Sequence, residues 1–120
     1  MKYLCLVYNE ERQLSALSVD DYRALADEQL ALDEELQDSG HVIASEALEP
    51  VRAAATVRVR DGRLAATDGP FAETKEQLGG FFLLEARDLN EAIQIAGRIP
   101  AARLGSVEVR PISEGGCRQP

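Results

Sequence analysis

Thr56-Val-Arg-Val-Arg60, Asp61-Gly62, Arg63-Leu-Ala-Ala-Thr67 is the stretch on which the fold turns. Two strand-like runs flank Asp-Gly, a pair favoured in two-residue type I′ hairpins because both central residues take a positive φ. That turn sets Val59 opposite Leu64 and Val57 opposite Ala66, and leaves Arg58 and Arg60 on the other face. The hairpin lies in the middle of the chain, so the flanking sequence reads as two halves.

In the first half, residues 2–8 (Lys-Tyr-Leu-Cys-Leu-Val-Tyr) form a strand with apolar side chains on both faces. Alternation means that such a strand is covered on both sides. Ser18-Val-Asp-Asp21 is a capping box that opens a helix, with Tyr22, Leu25, Leu32 and Leu36 along one stripe and Gln29 in the gap. Gly40 suits the left-handed residue that ends it. A strand follows over His41–Leu48, and Pro50 breaks it.

The second half repeats the pattern. Leu78 to Ala86 reads as another strand covered on both faces, and Asp88-Leu-Asn-Glu91 as a second capping box. The helix it opens runs through Leu89, Ala92, Ile93 and Ala96 and stops before Pro100. Ser106–Arg110 closes the order, with Val107 and Val109 alternating against Glu108 and Arg110. The order is β-α-β, a β-hairpin insertion, then β-α-β. Two split βαβ units of this kind make a ferredoxin-like α+β fold. Helices on one side of the sheet leave the other apolar face uncovered, and a second copy packed sheet to sheet is the economical cover. The expected assembly is a homodimer.

The composition narrows the function. The 120 residues fit one domain, expected over 1–112, with 113–120 as a flexible tail. Thirteen Lys and Arg against 21 Asp and Glu give a net charge of −8, which argues against nucleic acid as a partner. Seven of those negative charges arise between Asp20 and Asp38, where eight carboxylates face Arg23 alone. No apolar run approaches the roughly 18 residues of a membrane helix, and the start of the chain does not read as a signal peptide. Cys5 and Cys117 form no CxxC pair, which favours a reduced, cytoplasmic setting. One histidine and two distant cysteines give no zinc or iron site of usual spacing, and there is no glycine-rich phosphate loop or GxSxG elbow. Neither a metal nor another cofactor is expected.

Thr67-Asp-Gly-Pro-Phe-Ala-Glu-Thr-Lys-Glu-Gln-Leu-Gly-Gly-Phe81 resembles the signature of the DGPF family within the YCII-related proteins. Met1-Lys-Tyr-Leu4, Ser45-Glu-Ala-Leu48, the Thr-Val-Arg-Val-Arg strand and Glu108-Val-Arg-Pro111 extend the resemblance over nearly the whole chain. It implies a dimeric α+β barrel and little chemistry, because the family has no agreed reaction. Some members are encoded beside sigma factors of the extracytoplasmic type, a hint of regulation. The YCII branch is thought to use a histidine–aspartate pair, but His41 lies outside the matching motif, so that role is not carried over to it.

Asp68 is the first candidate for chemistry, as a general base beside a fixed Gly-Pro turn, although an Asx-turn accounts for the same residues. Glu73 and Lys75 share a face if their segment is extended, where they would hold a polar ligand or simply form a solvated ion pair. Glu46, Arg58, Glu108 and Arg110 sit on strands and would line either a mixed-charge pocket or an ion-pair network across a dimer. Tyr8, Phe81 and Cys5 read as core, His41 as a helix-end residue, and Cys117 as an unpartnered thiol on the tail. Two functions compete. One is a small-molecule site, with cofactor-free acid–base chemistry as its catalytic form. The other is an accessory or regulatory dimer that meets a basic protein through its acidic first helix.

Overall fold

A computed structural model describes residues 1–114. The tail beyond Glu114, with Cys117, lies outside the described residues. At the centre stands a four-stranded antiparallel sheet made of β1 (Lys2–Asn9), β2 (Val42–Ala47), β5 (Gln77–Glu85) and β6 (Ser106–Pro111), in the order β2-β5-β1-β6. The remaining strands, β3 (Ala55–Arg60) and β4 (Arg63–Asp68), pair only with each other. Helix α2 (Val19–Asp38) connects β1 to β2 across the inserted β5, and α3 (Leu89–Ala96) connects β5 to β6 across β1. These are two interleaved split βαβ units, and the ferredoxin-like α+β reading holds. The sheet ends in the edges β2 and β6, so one chain does not close into a barrel.

Alternation divides the sheet into two unlike faces. Tyr3, Cys5 and Val7 of β1 and Phe82 and Leu84 of β5 are buried, as are Leu32 and Leu36 of α2 and Ile95, Ala96 and Ile99 near α3. Cys5 pairs with Phe82 on one side and Val109 on the other, which sets the register of this layer. The large aliphatic and aromatic side chains of this set, such as Leu36, Leu84 and Phe82, each contribute about 1.5–3 kcal/mol through burial. Burial also raises the Cys5 thiol pKa to about 11, so this cysteine packs as a small apolar group. On the other face, Leu4, Leu6, Tyr8, Phe81 and Leu83 are half-buried, although the helices pack against the opposite side.

The helix ends follow their local signals. The Ser18 hydroxyl accepts from the Asp21 amide at 3.0 Å, and Asp88 Oδ1 accepts from the Glu91 amide at 2.9 Å. Gly40 takes φ 78°, with its amide on Gln37 O at 3.1 Å and the His41 amide on Leu36 O at 2.9 Å, a Schellman ending. Side-chain placement departs from the periodic stripes. Tyr22 is 55% exposed, and in α3 Leu89 and Ile93 are exposed while Ile95 is buried. The segment 88–96 packs through Ala92, Ile95 and Ala96, because small residues let it approach the sheet closely.

A short helix, α1 (Glu11–Ser15), precedes α2 and has no side-chain N-cap to announce it. Glu11 Oε2 accepts the Val51 amide at 2.9 Å, tying α1 to the 3-10 turn Val51–Ala53 forty positions away. The acidic helix read as the first is therefore the second.

The hairpin adopts the expected register, Val59 opposite Leu64 and Val57 opposite Ala66. Asp61 and Gly62 both take positive φ, 52° and 76°. The arm is a ribbon with nearly every residue exposed.

Candidate functional site

Asp68 ends β4, and Gly69 follows at φ 104°, a conformation that favours glycine. The Gly69 amide bonds Ala54 O at 2.7 Å, and Thr56 Oγ1 donates to Gly69 O at 2.8 Å. The turn is thus fastened to the base of the hairpin through its backbone. The Asp68 carboxylate takes no hydrogen bond or ion pair among the described residues, so the expected Asx-turn is not what holds it.

Beyond Pro70 the chain forms a loop without regular structure that Gln77 ties from below. Its Nε2 donates to Ala72 O at 3.2 Å and Thr74 O at 3.0 Å, while Thr74 Oγ1 donates to Glu76 O at 2.6 Å. Ser106 Oγ donates to Glu76 Oε1 at 2.8 Å and anchors the loop to β6. Between this loop and α1 lies a cleft of about 330 Å³, a volume at the small end for ligand sites. Glu73 and Lys75 line it from the loop, and Glu10, Glu11 and Arg12 line it from the junction of β1 and α1. None of these five side chains forms an ion pair among the described residues, although Glu11 accepts the Val51 amide. Two cations and three carboxylates around a small space offer charge-assisted hydrogen bonds to a molecule with both acidic and donor groups.

Glu46, Glu108 and Arg110 share the uncovered sheet face, Glu46 on the edge strand β2 and the other two on the opposite edge strand β6. Glu46 stands opposite Phe81, Glu108 opposite Leu6, and Arg110 opposite Leu4. This face is an apolar centre with charged groups on its two edge strands. Arg110 Nε donates to Glu108 Oε2 at 2.5 Å, an exposed pair within one strand. Arg58 belongs to neither place: it lies on the arm, across from Ala65. The seven candidate residues therefore occupy three positions, the loop cleft, the open sheet face and the arm.

Arg12, Glu10 and Gln77 were absent from the sequence reading. Glu10 and Arg12 reach the cleft from the junction of β1 and α1, and Gln77 from the start of β5, an approach made by tertiary contacts. A second cluster also went unread. Ser39 Oγ lies 2.7 Å from His41 Nδ1, and His41 Nε2 lies 3.5 Å from Glu91 Oε1. Glu91 also pairs with Arg87 at 2.9 Å and accepts the Arg87 amide at 2.9 Å. The set joins the carboxyl end of α2 to the amino end of α3. Ser39 Oγ also donates to Leu36 O at 3.2 Å, which ties the hydroxyl to the carbonyl end of α2. Among the described residues, no group of three or more His, Cys, Asp or Glu is placed to hold a metal, and no helix is long and apolar enough to cross a membrane.

Comparisons with known proteins agree with this architecture. A solved structure of 5-chloro-2-hydroxyhydroquinone dehydrochlorinase from Burkholderia phenoliruptrix, in complex with 2,5-dihydroxybenzoquinone, superposes with a TM-score of 0.53. The two are 18% identical, and the match covers 94% of each chain, so the likeness is one of fold. An uncharacterised protein of Rhizobium meliloti is 38% identical over 115 residues, covering 94% of this chain and 93% of that one. The model of the YCII-related domain matches residues 1–115, and the chain belongs to the YCII-related family.

Proposed function

We propose that this chain, with residues 1–112 as a single domain, forms a homodimer that binds a small polar molecule in the cleft between the loop after Pro70 and α1. The observation that carries the reading is the convergence of Arg12 and Lys75 with Glu10, Glu11 and Glu73 on a space of about 330 Å³. Such a site offers charge-assisted hydrogen bonds to a polar ligand beside the apolar surface of Val51 and Pro70. The dehydrochlorinase of similar fold is described with a small oxygenated ring, which suits a ligand of this size. Asp68, the candidate general base, ends β4 at the base of the arm and does not line this cleft, so binding rather than turnover is the role proposed for the cleft. A buried free thiol at Cys5 suits a reduced, cytoplasmic setting.

The acidic helix supports a protein-docking role less well. Glu28 is held by Arg103 at 2.7 Å, and Glu35 pairs with Arg98, so part of its charge is used within the chain.

Native mass spectrometry of gently purified protein tests the reading. The expected species is a dimer with additional bound mass, and the Lys75→Ala and Arg12→Ala variants lose that mass while remaining dimers. Bound mass that survives both substitutions would remove the cleft from consideration.

A further inference from the structure

The charged groups around the cleft between α1 and the loop after Pro70 do not neutralise one another. Arg12 and Lys75 take no carboxylate partner among the described residues, although Glu10, Glu11 and Glu73 border the same space. Glu11 belongs to the framework, since its Oε2 accepts the Val51 amide at 2.9 Å. The side chains of Glu10, Glu73, Arg12 and Lys75 make no hydrogen bond among the described residues, so their acceptors and donors face the ligand space unused. The neutral polar side chains are committed instead. Thr74 Oγ1 donates to Glu76 O at 2.6 Å, and Gln77 Nε2 donates to Ala72 O at 3.2 Å and Thr74 O at 3.0 Å. Recognition here therefore falls to separated charges of both signs.

We propose that the ligand of this cleft is an amino acid in its zwitterionic form, its carboxylate held by Arg12 and Lys75 and its ammonium by Glu10 and Glu73. This rests on the cleft reading above and names the class of molecule that the cleft takes.

Three features select that class. The first is charge. A dicarboxylate would gain both cations but face three carboxylates, and a diamine would leave Arg12 and Lys75 unmatched, whereas one molecule with one group of each sign answers both sets. The second is donor geometry. The planar fork of Arg12 takes a carboxylate through two parallel bonds, Lys75 adds a point charge, and an ammonium brings three donors to the carboxylates. The third is size. A space of about 330 Å³ is larger than a single ion needs and lies at the small end for ligand sites, and half-buried Val51 and Pro70 give a small apolar side chain a surface to rest on.

The test titrates the full-length, nitrogen-15-labelled protein with three compounds and follows its amide resonances. L-valine carries both charges; 3-methylbutanoate keeps the branched side chain and lacks the ammonium; 2-methylpropylamine keeps it and lacks the carboxylate. Valine should shift the amides of residues 10–12 and 72–77, and each analogue should bind at least about 10-fold more weakly, because each loses hydrogen bonds to charged groups. Arg12→Ala and Glu73→Gln, both at exposed positions, should each weaken valine by at least about 10-fold, with circular dichroism as the control for folding. Arg12→Ala should leave the weak binding of the amine unchanged, and Glu73→Gln that of the acid, a split that a general loss of structure would not produce. An analogue that binds as tightly as valine, or valine that leaves these amides unmoved, overturns the amino-acid assignment. The cleft reading then stands if the mass bound to the purified protein still depends on Arg12 and Lys75. If that mass is indifferent to both, the two readings fall together.

Discussion

The four-stranded sheet and the β3–β4 arm both alternate their side chains between two faces. In β1 and β5 both faces are apolar, while the arm carries Arg58, Arg60 and Arg63 on one, and the two regions also differ in what lies against them. In β1, every second residue from Tyr3 to Val7 is buried under a helix. In β4, the alternation of Leu64, Ala66 and Asp68 is as regular, yet every residue is exposed. Alternation settles which side chains share a face. Whether that face is buried depends on another element arriving to cover it, and α2 and α3 arrive on one side of one sheet only. The stability of this molecule is therefore concentrated in a single layer, while the arm and the open sheet face remain available for recognition.

The largest expected contrast is between equivalent leucines. Leu84→Ala, at a position with no exposure, should cost about 2–5 kcal/mol in urea unfolding. Leu64→Ala, measured at concentrations where only single chains are present, should stay within about 0.5 kcal/mol. Comparable losses at both positions would break the contrast and show that the arm packs on its own chain.

Glycines sharpen it next. A Cβ at Gly105 would collide with the Tyr8 carbonyl oxygen, backbone against backbone, so Gly105→Ala should destabilise by about 1–3 kcal/mol. Gly62 has open space around it and a φ of 76°, so Gly62→Ala should cost about 1 kcal/mol of strain. Thermal melts should show the first as a clear fall in Tm. The second should appear chiefly as faster amide exchange confined to residues 55–68.

A smaller effect belongs to the cap of the helix that covers the body. Asp88→Ala should cost about 1 kcal/mol by removing the acceptor for the Glu91 amide, and Asp88→Asn should restore most of it.

The smallest expected effect is at Asp33 on α2, where one carboxylate oxygen is buried without a hydrogen-bond partner. Burial raises its pKa, so the folded state holds the proton more tightly than the unfolded chain does. Stability from this group is present at low pH and lost as pH rises through the folded value. Asp33→Asn should therefore raise Tm slightly at pH 7 and change it little in acid. A fall in Tm at pH 7 would mean the carboxylate has an attractive partner.

Much of this fold was legible beforehand. Asp61-Gly62 dictated a turn and, through strand geometry, the pairing of Val59 with Leu64. Ser18 and Asp88 marked helix starts because each can satisfy an amide three residues on. The candidate site was less legible. Glu73 and Lys75 were singled out from their spacing, but Arg12 reaches them only because the Glu11 carboxylate is bonded to the Val51 amide, a contact between distant segments with no local signature. Tyr22 and Ile93 followed the apolar period and still ended exposed, since a helix longer or narrower than the surface beneath it leaves part of its stripe uncovered.

The sequence by itself determined the turns, the helix caps, the strand faces and the order that makes two split βαβ units. Each of these depends on steric and hydrogen-bonding rules acting within a few residues. Tertiary structure alone decided that the hairpin stands apart from the sheet, and that residues near 10 and near 75 form one cleft. Those outcomes depend on which surfaces meet, and the free energy of such meetings comes from apolar area and packing that no local stretch contains.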